Sequence, residues 1–363
     1  MSLLLQQLEL TPFRQRFPWL GPDLQTLRNT LRATHPQPEI GQSLEFSLPQ
    51  GDRLLARLDL PGSQQPLQGL VLVVHGLGGS SDDASERRLA SSLNRSGFGA
   101  LRLNLRGAGA GRTLAKGTYA ASCTTDLLPV FWECRRLAHD LAPPGRHLPL
   151  GAVGLSLGGT ILLNALLDGD GRHSPVLDGL VCLSSPLDLH HCADQIERPR
   201  NLLYRHWLVR RLIRQTLADP SGLSEAERRG LSGRQRPTTI RGFDDLITAP
   251  RWGYAGVMDY YNACSPLPRL RKSLGDLPPL LLVHAMDDPW VPAAAALQLA
   301  AEMGRLQSRG GSGSGAGSWP EVVITTGGGH NGFHAPGDTA EGCWSDRLAT
   351  LWLRRVLGPT TAM

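Results

Sequence analysis

The chain has 363 residues, 41% of them hydrophobic and 19% charged, enough apolar content for one large core, and α/β folds of more than about 200 residues commonly form a single domain. Its 37 basic and 32 acidic residues leave a net charge of +5, but residues 196–241 hold eleven arginines against four acidic residues, so the rest of the chain lacks the broad basic face of a nucleic-acid binder. Six scattered cysteines without CxxC or Cys/His spacing argue against a metal centre, the absence of a run of about 18 apolar residues argues against a membrane span, and the opening MSLLLQQLELTPF lacks the basic start of a secretory leader; together these predict a cytoplasmic protein needing no metal or cofactor.

From residue 44 onward, short apolar runs alternate with helical patterns. Residues 44–48 and 54–60 alternate apolar and polar around the turn Gln50-Gly51-Asp52, as in an antiparallel hairpin. Residues 70–75, LVLVVH, read as a strand buried on both faces. A helix follows over 84–94, then a strand over 101–105, and a helix over 125–142 that breaks at Pro143-Pro144. Residues 148–155 form a strand and 158–167 a helix; three further strands are expected at 177–184, 279–285 and 321–326, and a closing helix at 344–357. This alternation predicts a mostly parallel sheet wound on both sides by helices. Two segments interrupt it. Residues 187–262 carry helical patterns without a strand, as a helical cap or lid would, and residues 309–318, RGGSGSGAGS, read as a flexible Gly/Ser loop.

Within the insert, a helix over 200–217 places Leu203, Trp207 and Ile213 on one side and Arg200, Arg205, Arg210, Arg211 and Arg214 mostly on the other. Its apolar side would roof an acyl pocket while its basic side met anionic headgroups; a merely solvated cap helix is the simpler reading. His190 and His191, beside Cys192, lack the ligand spacing of a metal site.

Gly154-Leu155-Ser156-Leu157-Gly158 follows an apolar strand and opens a helix. That is the setting of a nucleophile elbow, whose strained turn leaves no room for flanking side chains. A serine hydroxyl needs a base, and the fold that uses this elbow supplies its partners in the order Ser, Asp or Glu, His. The strand at 279–285 runs into Met286-Asp287-Asp288-Pro289-Trp290-Val291-Pro292, so Asp288 is the expected acid, with Asp287 as a competitor that would otherwise brace the turn. The last strand ends in Gly327-Gly328-Gly329-His330-Asn331-Gly332-Phe333, which makes His330 the expected base and His334 a neighbour outside the glycine loop. Backbone N–H groups of Leu157 and of Leu77, in His75-Gly76-Leu77-Gly78-Gly79, complete an expected oxyanion hole.

Further stretches carry a resemblance: Phe17-Pro18-Trp19-Leu20-Gly21 with Asp23-Leu24-Gln25-Thr26, Asn104-Leu105-Arg106-Gly107, Phe243-Asp244-Asp245-Leu246-Ile247-Thr248-Ala249-Pro250 and Tyr260-Tyr261. With the motifs above, they resemble the YheT-like family of α/β hydrolases, which also includes plant embryogenesis-associated proteins and animal abhydrolase-domain lipid hydrolases. The chain departs from it at Asp23, where the family has His, at Tyr119-Ala120, where it often has Tyr-His, and in the 309–318 segment. The resemblance implies an α/β-hydrolase fold, with a mostly parallel eight-stranded sheet and a helical cap, acting as an esterase on medium-chain or phospholipid acyl esters. From the residues alone the reading ends at acyl transfer through Ser156. An acyltransferase or amidase on the same triad, or a non-catalytic binding protein on the same fold, stays open.

Overall fold

The computed structural model describes residues 3–31, 41–168, 177–275, 277–308, 319–339 and 342–358. Residues 309–318 therefore lie outside the described residues. Eight strands form one sheet: β1 (Gln42–Ser47), β2 (Arg53–Asp59), β3 (Gly69–Val74), β4 (Phe98–Leu103), β5 (Leu150–Leu155), β6 (Gly179–Leu183), β7 (Leu280–Ala285) and β8 (Glu321–Thr325). Their spatial order is β1-β2-β4-β3-β5-β6-β7-β8. The hairpin β1–β2 is antiparallel and joins β4 antiparallel; every pairing from β4 to β8 is parallel.

The near-continuous apolar strands follow from this layering. In β3, Leu70, Leu72 and Val74 enter the core on one face of the sheet, while Val71 and Val73 enter the core on the other. Helices Thr124–Asp140 and Leu157–Asp168 contribute to the first core, and helices Ala84–Arg95 and Trp344–Leu357 to the second. β4 begins at Phe98, three residues before the expected start, because Phe98 and Ala100 bury into the second core and the Gly97 turn can be tight. The other expected elements lie within two residues of their observed ends.

Between β6 and β7 the described chain carries helices and turns but no strand, running past residue 262 to the helix Leu267–Lys272. It includes one π-helical turn, Asp244–Thr248, a widened turn often found at functional sites. The helix expected over 200–217 is present as Leu202–Leu217, but its faces are not those expected. Leu203 is 83% exposed and Trp207 44% exposed, whereas Leu208, Val209, Leu212, Ile213 and Thr216 form the buried side. Ten residues make about 2.8 turns, which rotates Ile213 roughly 80° away from Leu203. Arg210 and Arg214, seven and eleven residues after Leu203, share its stripe instead. Among the described residues, no helix is long and apolar enough to cross a membrane.

Candidate active site

Parallel strands deliver their C-terminal ends to one edge of the sheet, and β3 and β5 leave in opposite directions across it, which opens a crevice there. Ser156 stands at the end of β5 with φ of 52°, in the left-handed region that a non-glycine residue rarely occupies. The turn is held by Ser156 N–H donating to the Leu183 carbonyl at 2.8 Å. A Cβ on Gly158 would sit 2.2 Å from the Val74 carbonyl oxygen, and one on Gly154 would sit 2.3 Å from the Gly159 Cα, so both flanking positions need glycine.

Ser156 Oγ lies 2.9 Å from His330 Nε2, and His330 Nδ1 lies 2.8 Å from Asp288 Oδ2. An ionised carboxylate can only accept, so Nδ1 carries the proton and the Nε2 lone pair faces the serine. The other Asp288 oxygen accepts from the N–H groups of Trp290 and Val291 at 2.8 and 2.9 Å. The Trp290 ring stacks on the imidazole with centroids 4.5 Å apart. Asp287 turns elsewhere: its carboxylate accepts from Gly329 N–H at 2.9 Å and from Gln15 Nε2 at 3.2 Å. The geometry thus gives the neighbours different partners, Asp288 the imidazole and Asp287 the glycine loop that carries it. His334 is buried away from this set, and burial together with nearby Arg88, Arg28 and Arg16 pushes its pKa far down.

Leu77 and Leu157 both line the crevice beside Ser156. Neither N–H donates a hydrogen bond among the described residues. The Leu77 loop is fixed from below. Burial pushes His75 down to about 4, leaving it neutral; its Nδ1–H donates to the Gly76 carbonyl at 2.8 Å and its Nε2 accepts from Leu105 N–H. The Tyr119 hydroxyl accepts from Gly78 N–H at 2.6 Å and packs edge-on against His75. Sequence reasoning gave neither side chain this part.

It also missed the support of the base. Thr26 Oγ1 accepts from His330 N–H at 2.8 Å. Gln25 donates to the His334 carbonyl at 3.0 Å and accepts from His334 N–H at 2.7 Å. Both belong to the Asp23-Leu24-Gln25-Thr26 signature, the one signal that could have pointed to them. Asp23 itself accepts from Arg200 at 3.0 Å and from the Tyr204 hydroxyl at 3.0 Å, joining the helix Gly21–Leu31 to the insert.

The crevice encloses about 930 Å³, its open mouth included. Ser156, His330 and Leu77 form its floor, and Leu208, Leu212 and Phe243 of the insert are among its upper walls. Of the roof expected from Leu203, Trp207 and Ile213, none lines it. One acidic side chain does: Asp244, pushed up to about 6 by burial and accepting from Thr248 Oγ1 at 2.7 Å and the Tyr261 hydroxyl at 2.8 Å. His190 and His191 stay outside the crevice. Among the described residues no group of three or more His, Cys, Asp or Glu could hold a metal ion.

The model of the alpha/beta hydrolase fold family matches residues 69–334. The chain is 32% identical over 254 residues to the putative esterase YheT of Escherichia coli (strain K12), an alignment covering 68% of this chain and 69% of that protein. It is 28% identical over 276 residues to the phospholipase ABHD3 of Homo sapiens, covering 76% of this chain and 59% of that protein. Among solved structures, a soluble variant of monoglyceride lipase from Saccharomyces cerevisiae, in complex with a substrate analog, matches with a TM-score of 0.54 at 16% identity over 95% of this chain and 99% of that one. At that identity the likeness concerns the fold alone.

Proposed function

The chain belongs to the alpha/beta hydrolase fold family, and we propose that it hydrolyses carboxylic esters of medium-length or longer acyl chains through an acyl-enzyme on Ser156. The observation that carries this reading is the hydrogen-bonded line Asp288–His330–Ser156 opening into a crevice walled mainly by apolar side chains. The names esterase and phospholipase among its relatives support the same reaction class.

The chemistry follows from the positions. His330 Nε2 takes the hydroxyl proton as Ser156 Oγ attacks the ester carbonyl carbon. The carbonyl electron pair moves onto oxygen, where the N–H groups of Leu77 and Leu157 receive it; a donor of this kind contributes about 3–4 kcal/mol to the transition state. Collapse of the tetrahedral intermediate breaks the bond to the alcohol oxygen, which leaves with the proton from His330. Water then gives its proton to His330 and attacks the acyl carbon, and the fatty acid departs as Ser156 Oγ is reprotonated. Asp288 keeps the imidazole in the tautomer and orientation that both halves require. An alcohol in place of water would yield a new ester, and product analysis in water–alcohol mixtures separates the two outcomes.

A fluorophosphonate probe tests the reading directly. The protein should be labelled once, at Ser156, with loss of ester hydrolysis, and Ser156→Ala should escape labelling and lose on the order of 10⁶ in kcat. Unlabelled protein, or a Ser156→Ala variant retaining a tenth of the activity, would overturn it.

A further inference from the structure

The insert helix Leu202–Leu217 has two apolar surfaces, and the crevice accounts for only one. Leu208 and Leu212 turn inward over Ser156. Leu203 and Trp207 turn outward, Leu203 almost bare and Trp207 half-exposed with the Arg211 guanidinium over its ring, and Leu202 beside them is also exposed. Their surroundings are cationic: Arg210, Arg214 and Arg236 border the same surface groove as Leu203 and Trp207. These three arginines make no ion pair among the described residues. No carboxylate lines that groove or either of the two shallow grooves beside it. By contrast, Arg200 in the turn just before this helix and Arg211 on it are each matched, to Asp23 and to Asp83.

We infer that this outer face is a docking surface for an anionic lipid bilayer, with Leu203 and Trp207 entering the headgroup–acyl boundary and Arg210, Arg214 and Arg236 meeting lipid phosphates. Two features on one stripe select this partner. Unpaired guanidinium groups call for a polyanion, and projecting leucine and tryptophan call for an apolar layer next to it; a bilayer with acidic headgroups supplies both within one side-chain length. A nucleic acid would satisfy the arginines and leave Leu202 and Leu203 in water. The contact sits on the opposite side of the helix from the walls of the crevice. It goes beyond the proposed ester hydrolysis and does not depend on it.

The test is co-flotation of the full chain with vesicles of phosphatidylcholine alone and of phosphatidylcholine mixed with phosphatidylglycerol. Binding is expected to the mixed vesicles only, weakening as salt is raised. Each arginine near such a surface contributes about a fivefold factor, so Arg210→Glu with Arg214→Glu should weaken binding roughly 25-fold or more. Leu203→Ala with Trp207→Ala should weaken it at every salt concentration. Both double variants should hydrolyse a short water-soluble ester at the unaltered rate, which also reports that they fold. Ser156→Ala should bind as the parent chain does, so that a failed docking proposal and a failed hydrolase reading give separate results. Absence of binding, equal binding to both vesicle types, undiminished binding by both double variants, or preference for a DNA duplex over mixed vesicles would overturn the inference.

Discussion

The floor of the crevice and the helical insert above it are built by different means. On the floor, position is set atom by atom. Ser156 is locked by a strained backbone and two flanking glycines, Asp288 accepts three hydrogen bonds, and the His330 loop is held by Asp287, Gln25 and Thr26. The insert instead presents apolar side chains toward the crevice from helices joined by short turns. Hydrogen bonds are directional and fail within a few tenths of an ångström, whereas apolar contact is graded by area. The floor should therefore respond to substitution in large steps and the insert in small increments.

The sharpest probe of that contrast is the pair of adjacent aspartates. Asp288→Asn should lower kcat on the order of 10⁴ by leaving the imidazole in the wrong tautomer. Asp287→Asn keeps the triad and removes only part of the support of its loop, so its loss should be far smaller. Steady-state kinetics on one soluble ester decides; the reverse ranking would mean that the loop brace, not the triad contact, governs the floor.

The insert should show the graded behaviour. Each acyl methylene buried in the crevice contributes about 0.8 kcal/mol, close to a fourfold rise in kcat/KM, until the space is filled. Leu212→Ala should flatten that rise across a series of chain lengths while sparing an acetyl ester. Trp207→Ala should leave the profile with soluble substrates unchanged, because its ring faces outward. A chain-length profile that depends on Trp207 and not on Leu212 would restore the roof read from the sequence.

The smallest effect concerns stability. Burial raises Asp244 from an ordinary 3.8 to about 6. Because the folded state holds this proton more tightly than the unfolded chain, the protonated group favours folding at low pH, and that advantage is lost as pH rises from about 4 through 6. The loss amounts to about 3 kcal/mol. Denaturant unfolding at pH 4.5 and 7 should show the parent chain losing ground to Asp244→Asn by about 2 kcal/mol, the part of that loss which falls between the two pH values. A constant difference between the two would place Asp244 in contact with water.

The same contrast explains what could be read beforehand. Ser156, His330 and Asp288 lie at strand ends, where glycines, a proline and the order of elements write local constraints into short stretches of sequence, and the structure brings those three side chains together. The supports of the floor were not legible, because Thr26 meets His330 across a sequence separation of 304 and no local pattern announces such a pairing. In the helix Leu202–Leu217 the difficulty was of another kind. Periodicity identifies the stripes of a helix without saying which one faces inward, and here both Leu208 with Leu212 and Leu203 with Trp207 are apolar. Only the neighbouring helices distinguish them.

The helix Gly21–Leu31 touches both regions at once, through Thr26 and Gln25 to the loop of the base and through Asp23 to Arg200 and Tyr204 of the insert. It lies wholly before residue 69, where the match to the family model begins. A fragment trimmed to that match would still contain Ser156, Asp288 and His330, yet the backbone amides of His330 and His334 would lose their acceptors, and Arg200 and Tyr204 of the insert would lose Asp23. The smallest working unit of this enzyme is consequently larger than the shared family core, and anyone transplanting its site or shortening its gene has to carry this distant helix along.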